Sequence, residues 1–164
     1  MRRAPLFLLM ALAGGCASGG AVPAPFPTPG PRPSIAAPAL EPIDRPAVVG
    51  TALSLRGAPY RNGGSDPSGF DCSGFVAYVF AQQGLYLPRT VSEQYAQGQG
   101  VGQDSMEAGD LVFFSTVAPG ASHVGIAVSR DEFVHAPSSS GVVRVESLNA
   151  PYWSSRFIGT RRVR

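Results

Sequence analysis

SGFDCSGFVAYVF (residues 68–80) is the stretch that decides the fold of this chain. Asp71 stands just before an apolar run, and aspartate is among the preferred residues at the N-terminal cap of an α-helix. The apolar positions that follow recur with helical spacing, and Gly84 ends the pattern. The sequence therefore predicts a helix over 72–83 with Cys72 in its first turn.

Cys72 occupies a position in that predicted helix that favours reactivity. The free N–H groups and the positive end of the helix dipole stabilise a thiolate there, so we expect a lowered pKa for the thiol. Gly69 and Gly74 flank it and would let a substrate backbone approach closely. A buried structural cysteine is the alternative, because a free cysteine packs well as a small hydrophobe.

The rest of the domain predicts helices first and strands afterwards. Arg45-Pro46 opens a helix that Gly57 stops, and the capping box TVSE opens a short helix at residue 90 that runs to about Gln97. Five strand patterns follow, at 110–115, 123–129, 132–137, 141–148 and 156–163. This order indicates an α+β fold, with the cysteine helix packed on an antiparallel sheet of about five strands.

His123 and His135 are the two histidines of the chain, and they fall on adjacent predicted strands. A thiol nucleophile needs a base beside it and a third group that orients the base. A three-residue loop between these strands would set Ala127 opposite Phe133 and place both histidines on one face of the sheet. On that face we expect Gly125 and Ala127 to leave room for the cysteine helix.

Two alternatives stay open for the cysteine and the histidines. Either histidine alone could be a hydrogen-bonded structural residue. A Cys/His/His set also matches the ligand types of zinc, although the chain has no close pair of the kind C-x-x-C or H-x-x-x-H. We therefore predict no metal and no cofactor.

Six motifs follow one another along the domain: GAPYRNGG, FDCSGFV, LPRTVSEQ, GDLVFF, HVGIAV and FVHAP, before the closing YWSSRFIGTRRV. In order and spacing they resemble the NlpC-type cell-wall peptidases of bacteria, from about residue 47 to the end. The resemblance implies a papain-like fold and a cysteine endopeptidase that cleaves peptidoglycan stem peptides or cross-links through a thioacyl-enzyme. It leaves open whether the D-glutamyl-diaminopimelate bond or the cross-bridge bond is cut.

The resemblance also implies roles for single residues. Cys72 is the nucleophile, His123 the general base, and His135 the third polar residue that orients the base. Tyr60 matches a tyrosine that lies beside the nucleophile in the family. The N–H groups at the start of the cysteine helix are the expected oxyanion hole.

Further residues match positions that contact substrate in the family. Asp71 and Ser73 flank the cysteine where family members contact free amino or carboxylate groups of the substrate. Arg89 belongs to the same expected binding set. Gln94 matches a motif near the cleft whose expected role is structural.

The residues before the domain predict export and attachment to a membrane. Two arginines and a short apolar run form a signal pattern, with far fewer than the ~20 residues of a spanning helix. LAGGC resembles a bacterial lipobox ending at Cys16, with an ordinary secretory signal as the alternative. We expect a signal peptide at 1–15, a lipid-anchored Pro-rich linker at 16–45 and a peptidase domain at 46–164.

Composition and signal together predict where the protein acts. The net charge of +2, with 15% charged residues, gives no indication of nucleic-acid binding. Ala17 follows the lipobox cysteine, which implies a palmitate-bearing lipoprotein of the outer membrane facing the periplasm. We expect a monomer that acts on peptidoglycan under a regulatory protease or adaptor. Alternative functions are a catalytically silent peptidoglycan-binding module and an amidase or acyltransferase on the same fold.

Overall fold

A computed structural model describes residues 43–164, and the predicted signal peptide, Cys16 and nearly all of the linker lie outside that range. Helix α1 spans Arg45–Ser54 and begins as its sequence predicts. The side chain of Asp44 caps it by accepting a 3.0 Å hydrogen bond from the Ala47 N–H, and Pro46 occupies the first turn. No helix within 43–164 has the length and apolar character needed to cross a membrane.

The other elements follow in chain order. They are β1 Ser65–Asp66, β2 Gly69–Phe70, α2 Cys72–Ala81, α3 Val91–Tyr95, β3 Gln99–Val101, β4 Leu111–Phe114, β5 His123–Ala127, β6 Glu132–His135, β7 Arg144–Ser147, α4 Pro151–Ser154 and β8 Phe157–Arg162. Strands β1 and β2 form a small ribbon, and six antiparallel strands form a sheet in the order β3-β8-β4-β5-β6-β7.

The α+β prediction is confirmed, with differences in detail. All five predicted strands are present, each shorter than its sequence pattern. The sheet has a sixth strand, β3, which was missed because its three residues carry one apolar side chain and show no alternation. The short helix α4 was also missed, since four residues are too few for a helical period to show.

The register between β5 and β6 is the predicted one. Ala127 pairs with Phe133, and the Val128 N–H donates to the Glu132 carbonyl, which leaves three residues in the loop. With a side-chain period of two, this register puts His123 and His135 on the same face.

The cysteine helix lies on the other face of the sheet, so that part of the prediction is wrong. The buried side of α2 packs with Val124, Ile126 and Val134, which face away from the histidines. A Cβ built on Gly125 would lie 2.6 Å from the Phe133 ring and 3.1 Å from His135 Cβ. On the histidine face, Phe133 and His135 therefore fill the space next to Gly125. Helix α2 packs on the opposite face, which carries the valine and isoleucine side chains.

Two core clusters result, one on each side of the sheet. The larger joins α1, α2 and the valine–isoleucine face. The smaller lies on the histidine face and consists of Met106, Val112, Phe114, Ala127, Phe133, Leu148 and Trp153. Strand β5 supplies residues to both clusters, so it sets the position of one relative to the other.

Gly74 in the first turn of α2 lets the helix start approach the preceding loop. A Cβ at this position would overlap the backbone carbonyl oxygen of Gly64. We expect Gly74→Ala to lower the free energy of unfolding by about 1–3 kcal/mol, the usual cost of overpacking. Urea unfolding of the purified variant measures this.

Gly50→Ala in α1 is the matched control. A Cβ there meets nothing within 4 Å, so the substitution should raise the free energy of unfolding by about 0.5–1 kcal/mol through helix propensity. Equal effects of the two substitutions would show that the contact with Gly64 does not limit position 74.

Candidate active site

Cys72 begins α2, and Asp71 caps the helix as predicted by accepting a 2.7 Å hydrogen bond from the Gly74 N–H. The backbone N–H groups of Val124, Ser73 and Cys72 act to lower the pKa of the thiol. Burial, and then the negative charge of Asp71, nevertheless raise the pKa of the Cys72 thiol above its ordinary value. The expectation of a lowered pKa is therefore wrong, because desolvation outweighs the helix start.

His123 and His135 form a buried hydrogen bond. His123 Nε2 lies 2.7 Å from His135 Nδ1, and the two rings are nearly perpendicular at 86°. Since this bond occupies Nε2, Nδ1 is the nitrogen of His123 left to exchange a proton with a nucleophile. His135 contacts the Nε2 side of the His123 ring, as a residue that orients a general base does.

Burial keeps both histidines uncharged. It lowers the pKa of His123 to about 4. The pKa of His135 is lowered by burial first, and then by the positive charges of His123 and Arg144. At neutral pH the pair is two neutral imidazoles facing a neutral thiol, so His123 is free to accept a proton.

Cys72 and His123 share the wall of one open cavity of about 150 Å³. The remaining wall comes from Tyr60, Thr116, Val117, Ser122, Ala136, Pro137, Ser138, Ser139, Tyr152 and Trp153. Val117 and Tyr152 are well exposed, at 87% and 50% of their surfaces, and form an apolar rim.

Tyr60 lies in the wall of the cavity that also contains Cys72. Burial, and then the negative charges that Cys72 and Asp71 can carry, raise the pKa of its phenol above the ordinary value. The phenol therefore stays protonated at neutral pH. It can donate a hydrogen bond into the cavity.

Asp71, Ser73 and Arg89 form a hydrogen-bonded network next to Cys72, and none of the three lines the cavity. The Arg89 guanidinium donates to both Asp71 oxygens at 2.9 and 2.5 Å and to Ser73 Oγ at 2.9 Å. Burial would raise the pKa of Asp71, but the hydrogen bonds from Arg89 and the Gly74 N–H lower it overall. The carboxylate thus stays ionised beside the helix start.

Gln94 has the structural position expected of it. It is fully buried, and its Nε2 donates to the carbonyl oxygens of Ser73 at 3.0 Å and Pro88 at 2.8 Å. These bonds hold α3 and the preceding loop against the start of α2.

Trp153 belongs to the site, although sequence reasoning assigned it no role. Its indole stacks on His123 with centroids 5.4 Å apart and meets the His135 ring edge-on at 4.9 Å. Its N–H donates to a Glu146 oxygen. The signal in the sequence is that Trp153 is the single tryptophan of the chain and stands inside the closing motif.

The described residues contain no cluster of side chains suited to bind a metal ion. Across residues 43–164, no group of three or more His, Cys, Asp or Glu side chains is arranged to hold a metal ion.

A thiol at a helix start, beside a sheet that carries a hydrogen-bonded histidine pair, defines a papain-like α+β domain. The model of the NlpC/P60 family matches residues 57–162. That match covers more than half of the chain, and the chain belongs to the NlpC/P60 family.

Named relatives agree with this assignment. The murein DD-endopeptidase MepS/murein LD-carboxypeptidase of Escherichia coli K12 is 47% identical over 109 residues, which are 66% of this chain and 57% of that protein. The probable peptidoglycan endopeptidase LytE of Bacillus subtilis is 38% identical over 115 residues, 70% of this chain and 33% of that protein. The chain thus matches little more than half the length of the E. coli relative.

Solved structures share the fold. The NlpC/p60 domain of the peptidoglycan hydrolase SagA superposes with a TM-score of 0.65 at 34% identity, covering 74% of this chain and all of that one. A lipoprotein-like NLP/P60 protein of Staphylococcus aureus gives a TM-score of 0.66 at 33% identity, covering 73% of this chain and 41% of that one. These matches confirm the predicted papain-like architecture.

Because both histidines are buried and neutral, we expect the free energy of unfolding to depend on pH. The unfolded chain takes up protons below about pH 6.5, while folded His123 stays neutral down to about pH 4. The unfolded state therefore binds more protons in this window, and we expect the free energy of unfolding to fall as the pH is lowered from 6.5 towards 4. Urea unfolding measured at intervals from pH 7 to 5 checks this.

His123→Gln provides the comparison. His123 and His135 are the only histidines of the chain, so removing one should reduce the slope of stability against pH by about half. An unchanged slope would mean that His123 titrates normally in the folded protein.

Proposed function

We propose that this protein is a cysteine endopeptidase that hydrolyses peptide bonds of peptidoglycan. One observation carries the proposal: Cys72 and His123 share a single open cavity, and His135 is hydrogen-bonded behind His123 at 2.7 Å. The names of the E. coli and B. subtilis relatives, a murein endopeptidase and a probable peptidoglycan endopeptidase, support this substrate class.

The first step is attack by the thiol on a peptide carbonyl. Because the thiol and His123 are both neutral at rest, the proton passes from Sγ to His123 Nδ1 as the S–C bond forms. His123 becomes an imidazolium, and its Nε2–H donates to His135 Nδ1. The hydrogen bond at 2.7 Å holds the ring in this orientation throughout.

The tetrahedral oxyanion needs donors close to the sulfur. The N–H groups of Cys72 and Ser73 at the start of α2 are the proposed donors, since both act to lower the pKa of the Cys72 thiol and so favour negative charge at that position. The Tyr60 phenol, kept protonated by its raised pKa, is a further donor from the cavity wall.

The intermediate collapses when His123 returns its proton to the leaving amine. The C–N bond breaks, and the acyl group remains on Sγ as a thioester. Water, deprotonated by the same nitrogen, then attacks the thioester and releases the carboxylate product together with the free thiol.

Substrate contacts are proposed for Tyr60, Asp71, Ser73 and Arg89. A peptide that extends from the cavity past the helix start would meet the ionised Asp71 carboxylate, which accepts hydrogen bonds from an amine. Whether the D-glutamyl-diaminopimelate bond or the cross-bridge bond is cut is decided by mass spectrometry of digested muropeptides.

Cys72→Ser tests the nucleophile. We expect release of soluble muropeptides from isolated peptidoglycan to fall at least about a thousandfold, because a serine hydroxyl yields a nucleophile far less readily than a thiol. Binding to peptidoglycan, followed by cosedimentation, should persist.

Cys16→Ser is the matched control, since it makes the same chemical change at the other cysteine of the chain. It should keep the activity on isolated peptidoglycan. Near-normal release by Cys72→Ser would exclude Cys72 as nucleophile. Binding without cleavage by the unmodified protein would identify a silent binding module.

We further propose that Cys16 carries the lipid and that the predicted linker, up to the start of the described domain at residue 43, tethers the domain to the outer membrane within the periplasm. The support is the LAGGC motif and the prolines that recur after it. A Pro-rich chain of this kind is extended, at ~3.1 Å per residue, and gives the domain reach from the membrane.

Cell fractionation and palmitate labelling test the anchor. Cys16→Ser should lose the label and move the protein from the membrane fraction to the soluble periplasmic fraction. Cys72→Ser, as the reciprocal control, should stay labelled in the membrane fraction. Continued membrane attachment of Cys16→Ser would rule out lipidation at this cysteine.

A further inference from the structure

Strand β7 places the carboxylate of Glu146 next to His135, on the side of its ring that does not contact His123. Glu146 pairs with Phe133 of β6, and its neighbour in register, Arg144, pairs with His135. Glu146 is therefore on the same face of the sheet as both histidines. Its Oε1 lies 3.8 Å from His135 Nε2.

His135 Nε2 is the one buried ring nitrogen of the pair that lacks a partner. The side chain is fully buried, and among residues 43–164 no atom makes a hydrogen bond with Nε2. A buried donor left unpaired costs about 1–3 kcal/mol, so an acceptor is expected close by. The nearest carboxylate is Glu146.

The direction of the hydrogen bond between the histidines decides which protons are present. For His123 Nδ1 to accept the thiol proton, the proton of the resting neutral ring must be on Nε2. That Nε2–H then donates to His135 Nδ1, which must carry no proton. His135 is neutral, so its own proton is on Nε2, directed towards Glu146.

Glu146 is itself held by an ion pair and a hydrogen bond. Arg144 Nε lies 3.1 Å from Oε1, and the Trp153 indole N–H donates to Oε2. Because Trp153 also stacks on His123, one carboxylate contacts the back of His135 and anchors the ring that packs on the base. With both oxygens engaged, the carboxylate cannot turn away to solvent freely.

We propose that Glu146 is a positioning residue that selects the Nε2–H tautomer of His135 and thereby keeps Nδ1 of His123 available to the thiol. The inference rests on the proposed function. As His123 takes up the thiol proton, the 3.8 Å separation contracts to a hydrogen bond from His135 Nε2–H to Oε1. Glu146 gains no proton in this step, and its negative charge stabilises the imidazolium through the His135 ring.

Nitrogen-15 NMR of the histidine side chains tests the tautomer directly. In the unmodified protein at neutral pH, His135 should show a protonated Nε2 and an unprotonated Nδ1. Since the chain has two histidines, the spectrum of His123→Gln assigns the signals. A proton on His135 Nδ1 would overturn the proposal without any need for a variant of Glu146.

Glu146→Leu removes the acceptor, and Glu146→Gln keeps an acceptor oxygen but removes the charge. We expect the leucine variant to distribute the His135 proton over both ring nitrogens. Both variants should lower kcat on a soluble cross-linked muropeptide by about tenfold, part of the roughly 10²–10⁴ that a positioned acid–base pair contributes. KM should stay within about twofold, because Glu146 is not part of the wall of the cavity that Cys72 and His123 share.

Glu132→Gln is the matched control, since this exposed carboxylate lies on the neighbouring strand at the end remote from His135. It should leave kcat and the histidine spectrum unchanged. An unchanged kcat in Glu146→Gln would overturn the proposal even where the leucine variant fails to fold. The two proposals can fail separately. If the proposed function is wrong, the Cys72→Ser variant keeps its activity, and the NMR measurement of the His135 tautomer still tests the role of Glu146.

Discussion

The hydrogen bond between His123 and His135 is the interaction on which the site depends, and the strand register creates it. Ala127 opposite Phe133 puts both rings on one face of the β5–β6 pair. A slip of one residue would send one ring to the helix face, where α2 packs. The three-residue loop that fixes this register is therefore as important for the site as the two imidazoles themselves.

Desolvation sets the charge state around that hydrogen bond. It raises the pKa of the Cys72 thiol and lowers that of His123, so the resting site is uncharged and the ion pair of many thiol enzymes is not its ground state. Arg89 pairs with Asp71, so the carboxylate nearest the nucleophile is partly neutralised. In the proposed reaction, charge then develops within the site only as the thiol attacks, and the backbone N–H groups at the start of α2 would stabilise it.

Local rules were enough to predict the start of the cysteine helix and the shared face of the histidines. Asp71 caps α2, and alternation along two strands gave the register. The face that receives the helix could not be inferred in this way, because it depends on what fills the space over Gly125. Glu146 and Trp153 were also missed, since their role arises from strand and helix packing that no motif spacing encodes.

Cys72 and the two histidines pack against different core clusters. Cys72 packs with the cluster under α2, whereas the histidines pack on Trp153 in the cluster of the opposite face. Strand β5 is the shared wall through which the two halves of the site are aligned. Mild heating or pressure that loosens only the smaller cluster would separate base from thiol while most secondary structure persists. Loss of the proposed activity would then precede the loss of circular dichroism, and substitutions that stabilise the core packing around Trp153 would extend working lifetime more than substitutions under α2.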